Sequence, residues 1–195
     1  MKLALAALTA ALAAASFAAT QPSAAKPAPQ SAAPAQTAPD PFAGVPAPKP
    51  DDVKSVDSIM TAVYDVISGP PGERDWSRFR SLFLPTARLT AATKSPDGAI
   101  HLRPMSADDY ATRAGGYFLK NGFFEHPIVN RVQTFGNVAQ VFSSYESRHA
   151  PGEAPFARGI NSFQLLNDGK RWWVVSILWD EERPDNPLPK DFAAK

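Results

Sequence analysis

Apolar side chains recur at steps of three and four along Ser55–Ser68, which is the spacing of one face of an α-helix. The positions concerned are Val56, Ile59, Met60, Val63, Val66 and Ile67. A second helix is predicted after Asp75, which can cap its amino end, and Pro85 is expected to end it. A third helix is predicted after Ser106, because Ser106 and Asp109 have the spacing of a capping box.

The last third of the chain predicts strands, since it is rich in valine, isoleucine and aromatic residues. Four long strands are expected, with turns at Gly136-Asn137 and Asn167-Asp168-Gly169. Their predicted ranges are Phe123–Phe135, Val138–His149, Phe156–Leu166 and Arg171–Glu182. Two short strands, Ala87–Ala92 and Ala99–Arg103, precede the third helix. The order ααββαββββ predicts an α+β domain with three helices on one side of a curved antiparallel sheet.

The N-terminal part of the chain differs in character from the rest. Met1–Thr20 has one lysine, a run of leucine and alanine, and a small-residue cleavage pattern at Ser16-Phe17-Ala18, which is typical of a secretory signal peptide. A membrane anchor is the alternative, but the apolar run is short and rich in alanine. Residues 21–50 are rich in proline and alanine and predict a disordered linker. We therefore expect a domain at residues 51–195 in the periplasm or outside the cell, without membrane contact after signal removal.

Charge and composition exclude several classes of protein. The 20 Lys+Arg residues against 19 Asp+Glu residues leave a net charge of +1, so no basic face for nucleic acid is evident. The absence of cysteine excludes a disulfide scaffold, a thiol nucleophile and a cysteine zinc site. A histidine metal site would need all 3 histidines to converge. Phosphate-loop and hydrolase motifs are absent from the sequence, and we expect no cofactor and no metal.

The stretch Asn161–Trp179 reads NSFQLLNDGKRWWVVSILW: a strand, an Asp-Gly turn, tryptophans and branched residues. This ending resembles that of the nuclear transport factor two-like superfamily, including its SnoaL-like and ketosteroid-isomerase-like branches, over roughly Val53–Glu182. The resemblance implies a cone-like α+β barrel, in which a curved sheet wraps a helix and leaves a mostly apolar pocket at its open end.

The resemblance to ketosteroid isomerase implies two catalytic groups that can be sought by position. That enzyme class uses a helix tyrosine as a hydrogen-bond donor, and Tyr64 on the first predicted helix matches it. The class also uses an aspartate base soon after the second helix, but no Asp or Glu occurs between Trp76 and Pro96. The isomerase site is therefore expected to be absent.

Acid–base chemistry needs a carboxylate or an imidazole held near the substrate with a tuned pKa. Glu146 is the only carboxylate well inside the four long strands, and His126 stands near a strand start, so these two are the candidate catalytic residues. The alternative for Glu146 is a solvated side chain or an ion pair with the cross-strand Arg158. The alternative for His126 is a capping or surface role.

Polar and aromatic side chains on the strands and helices could reach a pocket, because a pleated strand points alternate residues to one face. An arginine fork could hold a ligand carboxylate, but for the arginines we favour an ion-pair ladder with Glu125, Glu146 and Asp180 on the outer sheet face. The candidate ligand-binding residues are Tyr64, Tyr117, Arg131, Tyr145, Arg158, Asn161, Gln164 and Trp179. The sequence does not decide which sheet face is concave.

Three functions follow from these observations. The first is an exported pocket domain that binds a small apolar molecule, without a clear catalytic set. The second is an isomerase, dehydratase or cyclase-type enzyme that uses Glu146 or His126 as acid or base. The third is a protein-interaction module. Because both faces of the long strands carry large apolar residues, we also expect a homodimer formed sheet against sheet.

Overall fold

In a computed structural model of the chain, residues 40–193 are described. The predicted signal peptide and residues 21–39 of the predicted linker lie outside these described residues. The segment that follows packs on the domain, since the Phe42 ring stacks on Trp173 with 4.8 Å between the ring centroids. No helix within residues 40–193 is both long enough and apolar enough to cross a membrane.

The helices begin where the sequence places polar caps. Their bounds are Pro50–Val53 for α1, Val56–Ile67 for α2, Trp76–Ser81 for α3 and Ala107–Phe118 for α4, and a 3-10 helix spans Lys190–Phe192. Asp75 Oδ1 accepts a hydrogen bond from Arg78 N at 2.8 Å, which caps α3. Ser106 Oγ accepts from Asp109 N at 3.1 Å, and Asp109 Oδ2 accepts from Ser106 N at 2.9 Å. These predicted caps are confirmed.

One open sheet of six strands, in the order β2-β1-β6-β5-β4-β3, forms the other layer. The strand bounds are Phe83–Lys94 for β1, Ile100–Met105 for β2, Phe124–Phe135 for β3, Val138–Arg148 for β4, Ala157–Asn167 for β5 and Trp172–Glu181 for β6. The predicted α+β class and element order are confirmed, with the short α1 added. The sheet is mixed, however, because β1 pairs with β6 in parallel, while the other neighbours are antiparallel.

Pro85 lies inside a strand and does not end a helix, so this part of the sequence prediction is wrong. Helix α3 already ends at Ser81, and β1 begins at Phe83. The pairing of β1 with β6 is irregular between Phe83 and Arg88. A proline fits in such an irregular stretch, because no regular ladder hydrogen bond is required of its nitrogen.

The hydrophobic core lies between the helices and one face of the sheet, which we call the inner face. Ile59 on α2, Val141 on β4 and Phe163 on β5 are fully buried there. Because side chains alternate along a strand, intervening residues such as Phe142 and Gln164 lie on the opposite, outer face. Both of these residues are exposed. The sheet therefore has one side covered by helices and one side that the helices leave open.

The C-terminal segment crosses part of the outer face. The Phe192 ring packs edge-on against Phe142 with 5.7 Å between centroids, and the Arg131 guanidinium lies 5.8 Å from the centre of the Phe192 ring. Leu188 N donates to Glu182 Oε1 at 3.0 Å. The cover is partial, because several large apolar side chains on or beside this face keep an exposed fraction of 50 % or more. They include Ile100, Leu102, Phe135, Val138 and Leu178.

Candidate functional site

A cavity of about 210 Å³ opens between the inner face of the sheet and helices α2 to α4. Phe79 and Phe163, both fully buried, form its deep wall. Phe156 and Glu181 also line it, and both are exposed to solvent, so we call this end of the cavity the mouth. The walls are mostly aromatic and aliphatic, as is usual for small-molecule pockets.

The junction between α2 and β3 sets the position of Glu125, which enters the cavity. Ser68 follows the last residue of α2, and its hydroxyl oxygen accepts from Glu125 N at 3.0 Å. The same hydroxyl donates to the Tyr64 carbonyl oxygen at 2.7 Å. Gly69 and Phe123 exchange backbone hydrogen bonds of 2.7 and 3.0 Å. These contacts fix the start of β3 against the end of the helix.

A chain of hydrogen bonds joins four polar side chains of the cavity wall to Ser143, which lies behind it. Ser147 Oγ donates to Glu125 Oε2 at 2.8 Å. Asn161 Nδ2 lies 3.5 Å from Glu125 Oε1 and donates to Tyr64 Oη at 3.2 Å. Tyr64 Oη lies 2.6 Å from Ser143 Oγ. Either hydroxyl can donate in this last bond, so Tyr64 Oη already has two hydrogen-bond partners within the protein.

Burial in this mostly apolar cavity raises the pKa of Glu125 to about 7. Repulsion from the Glu181 carboxylate acts in the same direction, whereas the hydrogen bonds from Ser147 and Asn161 favour the charged form and limit the rise. Near neutral pH the Glu125 carboxyl group is therefore divided between its acid and base forms. A group in this state can both donate and accept a proton.

Four of the predicted ligand-binding residues line the cavity: Tyr64, Tyr145, Asn161 and Trp179. Burial raises the pKa of the Tyr64 and Tyr145 phenols, so both are neutral at physiological pH. Gly159 leaves room for the Tyr145 ring, because a Cβ at position 159 would lie 2.8 Å from the Tyr145 hydroxyl oxygen and 2.4 Å from the Asp180 carbonyl oxygen. A side chain at position 159 would therefore displace Tyr145 from the cavity wall.

The other four predicted ligand-binding residues lie outside the cavity. Tyr117 is 41 % exposed at the end of α4, and Gln164 is exposed on the outer face. Arg131 Nη2 donates to a backbone carbonyl of the C-terminal segment at 3.4 Å. Arg158 Nε donates to Glu182 Oε2 at 2.7 Å, so its partner differs from the glutamate that the sequence suggested.

The predicted catalytic residues Glu146 and His126 lie together on the outer face. His126 Nε2 is 2.8 Å from Glu146 Oε1, and Arg148 Nη2 is 2.5 Å from the same oxygen. Desolvation opposes ionisation of Glu146, but Arg148 and His126 outweigh it and lower the pKa of this carboxyl group. Tyr145 and Ser147 point into the cavity, so the residue between them points away from it.

Glu125 and Glu181 are cavity residues that the sequence reasoning missed. The expected ladder placed Glu125 on the outer face, and that expectation is wrong, because Glu125 pairs across the sheet with the inward-pointing Ser147. The signal was the alternation itself: His126 pairs with Glu146, so Glu125 must face the other way. Only knowledge of which face carries the helices could have turned that alternation into a prediction.

Metal ligation finds no support in the described part of the chain. Within residues 40–193, no group of three or more His, Asp or Glu side chains could hold a metal ion. The cavity offers two carboxyl groups, Glu125 and Glu181, on different strands, and no imidazole lines it. What the site provides is a placed carboxyl group, hydroxyl groups and an amide within apolar walls.

Comparison with known proteins shows the fold without showing an activity. No model of a protein family matches the chain, and no curated protein matches it. A protein of unknown function with a cystatin-like fold from Nostoc punctiforme matches with a TM-score of 0.51 at 9 % identity, covering 69 % of this chain and 92 % of that one. An NTF2-like protein of unknown function from Silicibacter pomeroyi matches with a TM-score of 0.46 at 13 % identity, covering 66 % and 94 %. A proposed ketosteroid isomerase from Parabacteroides distasonis matches with a TM-score of 0.46 at 14 % identity, covering 67 % and 91 %.

Identities this low bear on the fold alone, since one fold serves many functions. The chain shares the fold of the cystatin-like protein from Nostoc punctiforme, with helices packed on one face of an open sheet of six strands. The resemblance that the sequence showed is thus confirmed for the fold.

Proposed function

We propose that this chain is an exported small-molecule-binding domain whose cavity takes a mostly apolar ligand. The cavity carries the proposal, because about 210 Å³ of space lies between the inner face and the helices, beside Phe79, Phe163 and Trp179. A cavity of about 150 Å³ can hold benzene, so there is room here for one ring with a short side chain. The hydrogen-bonded groups around Glu125 add the few placed polar atoms that ligand pockets contain. The export part of the proposal is supported by the signal-peptide pattern at the N-terminus.

Binding can be tested with 2-phenylethanol, a neutral single-ring probe. We expect a dissociation constant of about 1 mM or lower for this probe. It is measured from the NMR shifts of the backbone amides of Glu125, Tyr145 and Asn161 during titration. Ala157→Trp should abolish the shifts, because Ala157 lines the cavity. Gln164→Trp changes the outer face of the same strand and should bind like the parent protein. Shifts confined to the outer face, or equal binding by the two variants, would contradict the proposal.

A second candidate function is a proton-transfer enzyme of the isomerase, dehydratase or cyclase kind. The observation that favours it is the pKa of about 7 at Glu125, which suits an acid or base at neutral pH. In this version Glu125, rather than Glu146 or His126, does the acid–base work. We expect the protein to accelerate the exchange for deuterium of the hydrogens α to the carbonyl of cyclohexanone in D₂O. Proton NMR measures this exchange. Glu125→Gln should lower this exchange rate at least tenfold. If the parent protein gave the same exchange rate as buffer alone, that result would contradict the candidate function.

We also propose that the chain forms a homodimer through its outer face. Leu102, Phe142 and Leu178 are exposed around an outer-face groove of about 440 Å³, and contiguous apolar surface of this kind is typical of interaction sites. The C-terminal segment occupies one side of the groove, so a second sheet would have to pack beside it. A protein-interaction module, the third function open from the sequence, would use the same surface. Sedimentation velocity at micromolar concentration distinguishes the dimer from a monomer.

A further inference from the structure

The cavity carries negative charge without a matching positive charge. Glu125 lines its wall on β3 and Glu181 lies at its mouth on β6, and no lysine, arginine or histidine is among the described residues that line it. Arg158 and Arg183 are each two residues away in sequence from a residue of the mouth. They form ion pairs of 2.7 and 2.5 Å with Glu182 and Asp180, which do not line the cavity. Within residues 40–193, neither Glu125 nor Glu181 forms a direct ion pair with a basic side chain, although the positive charge of Arg183 acts on Glu181 from outside the cavity lining.

Glu125 has few partners for a half-buried carboxyl group in a mostly apolar cavity. The groups that face it are Tyr64 on α2, Tyr110 on α4, Tyr145 and Ser147 on β4, Asn161 on β5 and Glu181 on β6. Of these, Ser147 donates at 2.8 Å and Asn161 only at 3.5 Å. Burial, with the repulsion from Glu181, raises the pKa of Glu125 to about 7. An ionised carboxylate in apolar surroundings needs an ionic or hydrogen-bonding partner, and a bound cation would supply it.

Aromatic rings line the same cavity. Tyr145, Phe156 and Trp179 contribute to the wall that also holds the two carboxyl groups. The face of an aromatic ring carries partial negative charge and attracts ammonium groups, most strongly where water is excluded. Acidic and aromatic groups without a basic group favour a ligand that is apolar in its body and positive at one atom.

We propose that the cavity selects a single-ring ligand with a protonated amine, the ammonium lying between Glu125 and Glu181 and the ring lying against the apolar wall. This inference rests on the proposed binding function and adds to it the charge of the ligand. The volume of about 210 Å³ limits the ligand to about one ring and a short chain.

The test compares 2-phenylethylamine, which is protonated at pH 8, with 2-phenylethanol, its neutral isostere. We expect the amine to bind the protein at least tenfold more tightly at pH 8, as measured by NMR titration. Glu125→Gln should bring the two affinities to within about threefold, because the carboxylate that pairs with the ammonium is gone. Glu181→Gln, a change at the exposed mouth, should lower the affinity for the amine but not for the alcohol. Glu153→Gln removes an exposed carboxylate that does not line the cavity and should leave the preference unchanged.

A pH series gives an independent readout. Lowering the pH from 8 to 5.5 leaves the amine protonated but protonates Glu125, so the affinity for the amine should fall while that for the alcohol stays constant. Equal affinities of the parent protein for the two probes would overturn the inference and leave the binding function standing. Failure of both probes to shift the amides of Tyr145 and Asn161 would overturn the binding function as well. A preference that survives in Glu125→Gln and in Glu181→Gln would show that the ammonium is not held by these carboxylates.

Discussion

Glu125→Gln is expected to raise the free energy of unfolding at pH 8 by about 3 kcal/mol and to flatten its dependence on pH. The folded-state pKa of Glu125, about 7, lies above the ordinary value of 4.5 for this group. Between these two values the folded protein binds a proton that the unfolded chain has released, so stability falls as pH rises through this window. Each pKa unit corresponds to about 1.4 kcal/mol, which sets the size of the effect. Glutamine keeps an acceptor for Ser147 without the charge.

Urea unfolding at pH 5, 6, 7 and 8 measures this effect in the parent protein, in Glu125→Gln and in the control Glu153→Gln. Asp52, Asp168 and Asp180 have lowered pKa values, and the stability that they contribute is lost only as pH falls below about 4. The chosen window therefore isolates Glu125 from these aspartates. The parent and Glu153→Gln should lose stability between pH 5 and 8, whereas Glu125→Gln should not. Parallel curves for all three proteins would show that Glu125 is not a buried carboxyl group.

Arg78→Met is expected to lower the free energy of unfolding by about 3 kcal/mol, because it leaves the buried Asp52 carboxylate without its partner. Arg78 Nε and Nη2 donate to the two carboxylate oxygens of Asp52 at 2.7 and 2.9 Å, and Nη1 donates to Asp65 at 2.5 Å. The hydrogen bonds from Arg78 hold the pKa of Asp52 below its usual value. This one guanidinium thus ties α3 to both α1 and α2.

Arg80→Met is the matched control for this experiment, since Arg80 lies on the same helix and pairs with Asp108. That pair is exposed, with 41 % and 73 % of the two side chains accessible, and should contribute less than about 1 kcal/mol. Thermal or urea unfolding at pH 7 measures both variants. An equal effect of the two substitutions would contradict the special role of the Asp52 pair. In an Asp52→Asn background, Arg78→Met should cost clearly less, since the stranded charge is absent.

Local signals in the sequence predicted most of the elements of the fold. The apolar spacing after Ser55 and the caps at Asp75 and Ser106 are properties of short segments, so they can be recognised without tertiary information. The turns Gly136-Asn137 and Asn167-Asp168-Gly169 likewise fixed the hairpins of the last four strands. The parallel pairing of β1 with β6 could not be predicted in this way, because it joins segments far apart in the chain.

The candidate site was harder to predict than the fold, because one sequence does not show which face of a strand the helices cover. Tyr145 and Glu146 are neighbours on β4, yet the first lines the cavity and the second forms an outer-face ion pair. Both faces looked apolar because the C-terminal segment also packs on the sheet, with Phe192 against Phe142. Glu125 looked like a residue at a strand end, and its place on the cavity wall is set by contacts that are distant in sequence, such as the hydrogen bond from its backbone nitrogen to Ser68 Oγ.

The stack of Phe42 on Trp173 has a consequence for access to the cavity. Trp173 stands near the first residue of β6 and Glu181 is its last, so most of this strand of 10 residues separates the two. That is about 26 Å of extended backbone. The segment that carries Phe42 thus packs near one end of β6, whereas the mouth of the cavity at Glu181 lies at the other end, and this segment does not cover it.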